Sequence, residues 1–460
     1  GNGGSAADPN TNTKPAALRP SIYVYELPVK YNTWLMETRM HPQDCTYRRY
    51  TAQARGGMST NWENYAFGLE MALHEILLAS PHRTLNPETA DFFFVPVYGG
   101  CYISRFFRPT PMHNLIGMEK GHSVGSEDFM PAPVRGNEFY REALKWIRTE
   151  FPYWDRRHGA DHLFAFPHDE GACVAPIELQ NATLLTSWGR LQKKPENATT
   201  TMVEHSWFVR NFVQNMYASL QCYDPKKDIL MPVFTSIKQI FTSPHLHPER
   251  RKVKTRSLLF HWRGQVLYHF PKYSLGIRQQ VCSLYQGPKW ESQGVVVSDK
   301  HSGKYLEEMM SATFCGVFPG NGWGHIETPI LLGCIPVVVQ DEILTPWENV
   351  LNFTSFAIRL PRNQLHRMID ILKAIPQERI KQMQAKLSVI WERFTFSSLV
   401  KAEASRSCTE QPGAHDCREL QRQLRGSNGQ EVTGRDAVDT LMHVLNARLV
   451  ERERKEARYG

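Results

Sequence analysis

The amino-acid sequence predicts an α/β protein of two domains, each built around a parallel sheet with crossover helices. Short apolar runs alternate with segments that carry apolar residues at helical spacing, first over residues 20–235 and again from residue 257. This alternation is typical of parallel strands joined by helices. A chain of 460 residues also exceeds the size that one hydrophobic core usually supports, which favours two domains.

The elements of the first half are predicted from apolar runs and helical periodicity. Strands are expected at residues 23–27, 92–97, 162–166 and 228–233, and helices at 62–78 and 137–149. Residues 92–97 form a continuous apolar run, as expected for a strand that is covered on both faces.

The second half repeats the alternation. Strands are expected at residues 257–262, 294–297 and 335–339, and helices at 274–284 and 305–311. A long amphipathic helix is expected at 379–391, because Pro376 is a good starting residue, and a final helix at 434–454.

A polar stretch at residues 242–250 separates the two halves. We therefore expect a flexible stalk at 1–20, an N-terminal domain at 21–240, a C-terminal domain at 250–400 and a helical segment at 401–460. The stalk is expected because its residues are small, polar and interrupted by proline. Cys408 and Cys417 enclose a short polar loop, where a disulfide would restrict an otherwise floppy chain.

The most informative segment runs from residue 314 to residue 324. Its glycines at positions 316, 320, 322 and 324 let the backbone approach a ligand closely. A short helix carrying Glu327 is expected next, and its N-terminus would offer free N–H groups and a positive dipole end, which suit a diphosphate. A tight structural turn is the alternative interpretation of the same glycines.

Several ordered motifs resemble those of the exostosin-family glycosyltransferases. They lie at residues 22–28, 83–96, 159–169, 258–264, 311–315 and 333–337. Residues 314–324 and 391–394 look most like the plant and algal branch that includes the extensin arabinosyltransferases. The resemblance implies a GT-B fold, in which two Rossmann-like domains face a central cleft. It also implies inverting transfer of sugar from a nucleoside-diphosphate sugar, expected to be a UDP-sugar, to a glycan or a hydroxyproline-rich glycoprotein.

Two arginines and the glycine-rich loop are the candidate donor-binding residues. The chain contains no Asp-x-Asp sequence, which metal-dependent transferases commonly use, so no metal cofactor is expected and arginines should bind the diphosphate. Arg263 and Arg278 are predicted as its ligands. The other candidates for nucleotide-sugar binding are Gly320, Gly322, Trp323, Gly324, His325, Glu327 and Asp341. For Asp341, capping of a turn is the alternative.

The chain departs from the family pattern beside this loop. The family usually has an arginine nine residues before Cys334 and an acidic residue six before it, whereas this chain has His325 and Thr328, with Glu327 one place away. Either Glu327 still reaches the ribose or that contact is lost. In the second case the chain would be a non-catalytic subunit or a sugar-binding module on the same fold.

Asp169 is the predicted catalytic base. An inverting transfer needs a carboxylate or a histidine beside the acceptor oxygen, and titratable groups cluster at the ends of the strand predicted at 162–166. Glu70 is the second candidate. His162 is open to another interpretation, as a hydrogen-bonded histidine of the core.

Composition restricts the partners. The net charge of +8 is dispersed, and no basic run is interleaved with aromatic residues, so nucleic acid is not an expected partner. The nine cysteines contain no C-x-x-C pair, which argues against structural zinc, and their odd number leaves at least one thiol unpaired. An NAD-dependent oxidoreductase is not supported, because the loop glycines lack the G-x-G-x-x-G spacing.

Glycosylation sequons and disulfides together favour a secretory compartment. The sequons begin at Asn181, Asn197 and Asn352. No apolar run approaches the eighteen residues that cross a bilayer. If the family resemblance holds, a membrane anchor lies upstream, and this chain is the luminal part of a type II Golgi membrane protein, either alone or in a homo- or hetero-oligomer.

Overall fold

The computed structural model describes most of the chain. It covers residues 18–37, 48–52, 58–62, 67–104, 132–169, 171–191, 222–235, 237–250, 255–269, 273–320, 322, 324–410, 415–426 and 431–459. Trp323, Asn197 and residues 1–17 of the expected stalk lie outside these ranges.

A parallel sheet of six strands organises the first half. The strands of this half are β1 (Ile22–Val24), β2 (Arg48–Ala52), β3 (Met58–Trp62), β4 (Arg83–Thr84), β5 (Phe92–Val95), β6 (His162–Phe166), β7 (Thr183–Thr186), β8 (Gly189–Arg190) and β9 (Ile229–Leu230). The sheet has the order β4-β1-β5-β6-β7-β9, and Phe93 pairs with His162 at its centre. Strands β5 and β6 are buried along their whole length, as expected inside a parallel sheet.

A second parallel sheet of five strands organises the second half. The strands are β10 (Leu258–Arg263), β11 (Val295–Ser298), β12 (Ala312–Val317), β13 (Ile335–Val338), β14 (Ile343–Leu344) and β15 (Ile358–Arg359). The sheet has the order β11-β10-β12-β13-β15, in which Phe260 pairs with Phe314 and Phe314 with Ile335. Two parallel sheets with connecting helices confirm the predicted α/β class.

The helices connect and cover these strands. In the first half they are α1 (Thr33–Glu37), α2 (Leu69–Ala79), α3 (Gly99–Ser104), α4 (Ala132–Glu150), α5 (Tyr153–Arg156) and α6 (Ile237–Thr242). In the second half they are α7 (Ile277–Tyr285), α8 (Pro288–Glu291), α9 (Tyr305–Ser311), α10 (Glu327–Leu331), α11 (Met368–Lys373), α12 (Gln377–Ile390), α13 (Ser397–Glu410), α14 (His415–Leu424) and α15 (Ala437–Tyr459).

The helix expected at 62–78 is wrong in its first part. Trp62 ends strand β3, which pairs in antiparallel fashion with β2, and helix α2 begins only at Leu69, after Gly68. Apolar residues at helical spacing misled the prediction, because hairpin pairing decides the conformation of residues 58–62. Strand β1 ends at Val24 and β9 at Leu230, earlier than expected, where their pairing with the neighbouring strands ends.

Several contacts join the halves, and three of them come from different elements of the second half. Strand β14 pairs with β8, so that Ile343 lies opposite Arg190. Helix α15 returns to the first sheet, where Arg448 donates hydrogen bonds to the carbonyl oxygens of Lys227 and Asp228 at 2.5 and 2.9 Å. The third contact, from Glu327, lies next to the cavity described below.

Disulfides close several loops of the described chain. They link Cys173 with Cys222, Cys315 with Cys334, and Cys408 with Cys417. The last pair is the one expected from its short enclosed loop. Cys101 is also disulfide-bonded, and Cys282 is a buried free thiol, in keeping with the odd cysteine count.

Candidate active site

A cavity of about 460 Å³ opens at the carboxyl ends of β10 and β12. Ligands of open α/β sheets bind at this edge, because the loops that follow the strands meet there. The lining residues are Asp169, His261, Trp262, Arg263, Gly264, Gln265, Tyr273, Arg278, Tyr305, Met309, Gly316, Gly320, Gly322, Gly324, His325, Thr328 and Pro329. Only Asp169 among them comes from the first half, so the cavity lies where the described parts of the two halves meet.

Arg278 is a buried cation on the cavity wall. Its residue exposure is 8%, and its Nη atoms donate to the carbonyl oxygens of Gln265 and Phe318 and to the hydroxyl of Tyr273, at 3.0–3.1 Å. Its Nε atom is buried without a hydrogen-bond partner, and no carboxylate of the described residues pairs with it. The guanidinium also lies 5.6 Å from the ring centres of Trp262 and Tyr273.

This arrangement leaves a charge that needs an anion. Burial lowers the pKa of Arg278, yet arginine keeps its proton in proteins. Carbonyl and hydroxyl dipoles compensate a guanidinium only in part, and an ion buried without a counter-ion costs several kcal/mol. Arg278 would therefore contribute most of the free energy with which this cavity binds an anion.

Arg263 lines the same cavity but already has a carboxylate partner. Glu308 of α9 accepts from Arg263 Nε at 2.5 Å and from Nη2 at 3.2 Å. Glu308 also accepts from His261 and from Ser302. Burial opposes the charged form of Glu308, but the hydrogen bonds from Arg263, Ser302 and His261 outweigh it and hold the pKa of Glu308 below its usual range.

The loop glycines permit close approaches that a side chain would block. A Cβ on Gly320 would lie 2.8 Å from Arg278 Nη2, and one on Gly322 would lie 2.3 Å from the carbonyl oxygen of Asp169. A Cβ on Gly324 would lie 2.7 Å from Val317 Cγ1. Glycine at 320 and 322 thus brings the loop backbone against the buried cation and against the other half of the protein.

The two positions that depart from the family pattern both face the cavity. His325 and Thr328 line it, and His325 has a positive φ of 54°. His325 is exposed to solvent at the cavity, and desolvation by the surrounding groups, with repulsion from Arg278, lowers the pKa of its imidazole. The histidine is therefore neutral at physiological pH.

Glu327 does not line the cavity. It is the first residue of α10, is 2% exposed, and accepts a hydrogen bond from the backbone N–H of Val233 in the first half at 3.0 Å. Its Oε2 is buried without a hydrogen-bond partner. Burial raises its pKa to about 7. The short helix that the sequence predicted after the loop begins at Glu327. The loop glycines therefore precede the helix and do not belong to its first turn.

The remaining candidates fall in different places. Asp341 lies outside the lining of the cavity, and both its carboxylate oxygens accept from the N–H of Arg362. This is the capping arrangement that the sequence left open. Glu70 is fully buried and accepts from the N–H groups of Gly100 and Cys101 at the start of α3, and burial raises its pKa to about 8.

Asp169 is the acceptor-side candidate that reaches the cavity. It follows β6, is partly exposed, and lines the same cavity as Arg278. His162, by contrast, is a core histidine: its ring bonds Asp161 at 2.8 Å and the hydroxyl of Tyr25 at 2.9 Å, with no exposure.

Sequence reasoning missed residues that organise the donor side. The hydroxyl of Tyr273 and the backbone carbonyl of Gln265 accept hydrogen bonds from Arg278. The carboxylate of Glu308 accepts a hydrogen bond from Arg263. Ser274 and Leu275 have positive φ of 57° and 53° before α7. Two non-glycine residues in this conformation cost free energy, which is typical of functional sites. The only available signal was the proximity of residues 273–276 to Arg278 in the chain.

Other features concern modification and compartment. Asn181 and Asn352 are exposed, as a glycan requires. Within the described residues, no group of three or more His, Cys, Asp or Glu is placed to hold a metal ion. No helix in the described ranges is both long enough and apolar enough to cross a membrane.

The described fold consists of two parallel α/β units, and residues of both halves line the cavity at the carboxyl ends of β10 and β12. The Exostosin GT47 domain model matches residues 18–375, and the chain belongs to this exostosin family of glycosyltransferases. Family membership confirms the resemblance read from the motifs. The arabinosyltransferase branch is not represented among the relatives described next.

The relatives that the chain matches in sequence are named as glycosyltransferases. It is 26% identical to "Probable beta-1,4-xylosyltransferase IRX10L" of Arabidopsis thaliana, over 80% of this chain and 74% of that protein. It is 28% identical to "Probable glucuronosyltransferase GUT1" of Oryza sativa subsp. japonica, over 80% and 73%. The solved structure of TarM shares 9% identity over 78% of this chain and 64% of that chain, with a TM-score of 0.26, which is too distant to define the fold.

Proposed function

We propose that this enzyme moves a sugar from a UDP-sugar to a glycan or glycoprotein acceptor with inversion, and that the cavity beside Arg278 is its donor site. The observation that carries the proposal is Arg278, a buried cation with no carboxylate partner among the described residues. A diphosphate supplies the missing negative charge, and a planar guanidinium is suited to bind it. We therefore propose Arg278 as the principal ligand of the diphosphate, ahead of Arg263, whose charge Glu308 already compensates.

The loop around residue 320 would contribute to the same step. Gly320, Gly322 and Gly324 line the cavity, and Gly320 packs directly against the Arg278 guanidinium. Fixed dipoles and cations that receive a leaving diphosphate stabilise charge that develops in the transition state. Residues 21–240 and 250–400 would then be the acceptor-side and donor-side domains.

Asp169 is the base that we favour for deprotonating the acceptor hydroxyl. It lies on the cavity wall, whereas Glu70 is fully buried and bonded to two N–H groups of α3. A base must come within hydrogen-bond reach of the hydroxyl that it deprotonates. We expect Asp169→Asn to lose transfer while retaining affinity for UDP, and Glu70→Gln to lower stability instead.

The test of the donor site is calorimetric titration of the purified chain with UDP in the presence of EDTA. We expect micromolar binding that weakens at least tenfold in Arg278→Met, since a charge-assisted contact is lost. Arg278→Lys should retain part of the affinity. Arg435→Met, at an exposed arginine, is the matched control and should bind as the parent does. Undiminished binding by a folded Arg278→Met protein would rule out this site.

The acceptor and the sugar are proposed from the family resemblance. We favour a cell-wall glycan or a hydroxyproline-rich glycoprotein as acceptor, with arabinosyl transfer among the reactions to be assayed. We propose the Golgi lumen as the compartment, with a membrane anchor upstream and with homo- or hetero-oligomers open to test. The disulfides and the exposed sequons support an oxidising secretory compartment.

A non-catalytic role on the same fold is the second candidate. The observation in its favour is that His325 and Thr328 face the cavity while Glu327 points to Val233 and not to a ribose. Such a protein would bind UDP but neither hydrolyse nor transfer the sugar of UDP-arabinose, UDP-xylose or UDP-glucuronate. Turnover of any of these donors that depends on Asp169 would exclude it.

A further inference from the structure

The charges around the cavity are divided unequally between its two arginines. Arg278 has no carboxylate partner among the described residues, whereas the charge of Arg263 is compensated by Glu308. Asp169 brings a carboxylate to the lining from the first half. His325 adds no positive charge at physiological pH, because desolvation and the nearby Arg278 cation hold the pKa of its imidazole below the usual value. Within the described lining, Arg278 is therefore the cation that is available to bind an anionic ligand.

We infer that the donor carries an uncharged sugar, and that Glu308 is the residue that excludes uronic acids. This inference rests on the proposed donor site. A nucleoside diphosphate brings about two negative charges, which Arg278 and the loop N–H groups receive. The carboxylate of a uronic acid would bring a third, and the described lining holds no second cation that lacks a carboxylate partner.

Hydrogen bonds fix the carboxylate of Glu308 beside Arg263, so Arg263 cannot easily bind a second anion. Its carboxylate accepts two hydrogen bonds from Arg263, one from His261 at 3.1 Å and one from Ser302 at 2.9 Å. The side chains of Arg263 and Glu308 are only 19% and 22% exposed, so solvent screens the pair little. A uronate would have to displace a partner fixed by four contacts. Glu308 is thus a specificity-determining residue that acts through Arg263.

UDP-glucose and UDP-glucuronate provide the matched ligand pair, because they differ in charge at one carbon and little in size. We expect UDP-glucuronate to bind the parent protein at least tenfold more weakly than UDP-glucose in competition with UDP. Glu308→Gln keeps the shape beside Arg263 but removes the charge, and should reduce that ratio at least fivefold. Glu308→Asp, which keeps the charge, should retain the discrimination. Glu307→Gln is the control for loss of one charge from α9.

The outcomes separate this inference from the proposed donor site. If UDP itself does not bind, the proposed donor site fails. If UDP binds but UDP-glucuronate binds as tightly as UDP-glucose, the neutral-sugar inference is overturned. If the parent discriminates and a folded Glu308→Gln protein, checked by thermal denaturation, discriminates equally well, the role of Glu308 is wrong.

Discussion

Glu327 is a carboxylate that the fold buries where the two halves meet. One oxygen accepts from the N–H of Val233 and the other is buried without a hydrogen-bond partner. Burial outweighs that hydrogen bond and raises the pKa to about 7, from a usual value of 4.5. The folded protein therefore retains a proton between these two pH values that the unfolded chain has released. Accordingly, this residue makes the free energy of unfolding fall as the pH rises from about 4.5 to about 7.

Replacing Glu327 by glutamine should remove this pH dependence. The amide keeps an oxygen for Val233 N–H and carries no charge, so we expect Glu327→Gln to be more stable than the parent at pH 8 by about 1–3 kcal/mol. At pH 4.5 the two proteins should differ little. Denaturation in guanidinium at both pH values measures the difference.

Glu291→Gln is the control for that experiment, since Glu291 is exposed. It should change stability little at either pH. A parent and a Glu327→Gln protein with the same dependence of stability on pH would show that Glu327 is ionised at no cost in the folded state.

At the scale of elements, the glycine-rich loop connects donor and acceptor sides. Gly322 lies against the backbone of Asp169, with no room for a Cβ. The carbonyl of Asp169 belongs to the turn after β6, so a shift there would move the proposed base. In the proposed mechanism, this contact would fix the distance between Asp169 and the diphosphate site, which different sheets carry.

We expect Gly322→Ala to lower the rate of transfer by about ten- to a hundredfold, because a misplaced catalytic group loses most of its effect. UDP affinity should change less than the rate. Gly303→Ala is the matched control, since no atom lies within 4 Å of a Cβ at that position. Steady-state kinetics with the donor identified by screening would decide. A Gly322→Ala enzyme with the rate of the Gly303→Ala enzyme would contradict the proposed coupling.

Some elements could be predicted from the sequence because local patterns decide them. Strand β6 and helix α9 have the expected bounds, since a short apolar run and a helical period each end within a few residues of a polar segment. The hairpin ending at Trp62 could not be predicted, because its conformation depends on pairing with β2.

The site was predictable in composition but not in arrangement. Both arginines and Asp169 line the cavity as expected. Which arginine is available to an anion depends on Glu308, which is 45 residues from Arg263 in sequence. The two side chains meet because β10 pairs with β11 and β12, the strands that precede and follow α9. Glu327 was chosen because it follows the glycine-rich loop, and Asp341 because it follows the strand predicted at 335–339. Glu327 instead contacts Val233, and Asp341 contacts Arg362, so neither lines the cavity.

At the scale of the whole molecule, the C-terminal helix α15 contacts the first sheet. Arg448 of this helix is half-buried, and its two hydrogen bonds go to the backbone carbonyls of Lys227 and Asp228 beside β9. Salt bridges of Arg19 with Glu453 and of Arg157 with Glu456 extend the same contact at the surface. Exposed ion pairs contribute little to stability, so Arg448 should dominate this contact.

We expect Arg448→Met to lower the free energy of unfolding by about 2–3 kcal/mol, since two buried carbonyls lose a charged donor. Arg454→Met, at an exposed position of the same helix, should change it by less than about 0.5 kcal/mol. Chemical denaturation followed by fluorescence measures both. Equal stabilities of the two variants would mean that helix α15 contributes no specific anchor to the first half.

The disulfide between Cys315 and Cys334 has a practical consequence for how the protein is produced. The segment that it closes contains the whole glycine-rich loop and helix α10. In a host whose cytosol keeps thiols reduced, this disulfide would not form, and the two ends of the segment would not be covalently linked. Strands β12 and β13, which carry the apolar residues on either side, could still pair. Such a preparation would be folded yet fail to bind nucleotide, and it would be mistaken for a pseudoenzyme. Secretion into an oxidising medium is therefore the condition under which inactivity can be interpreted.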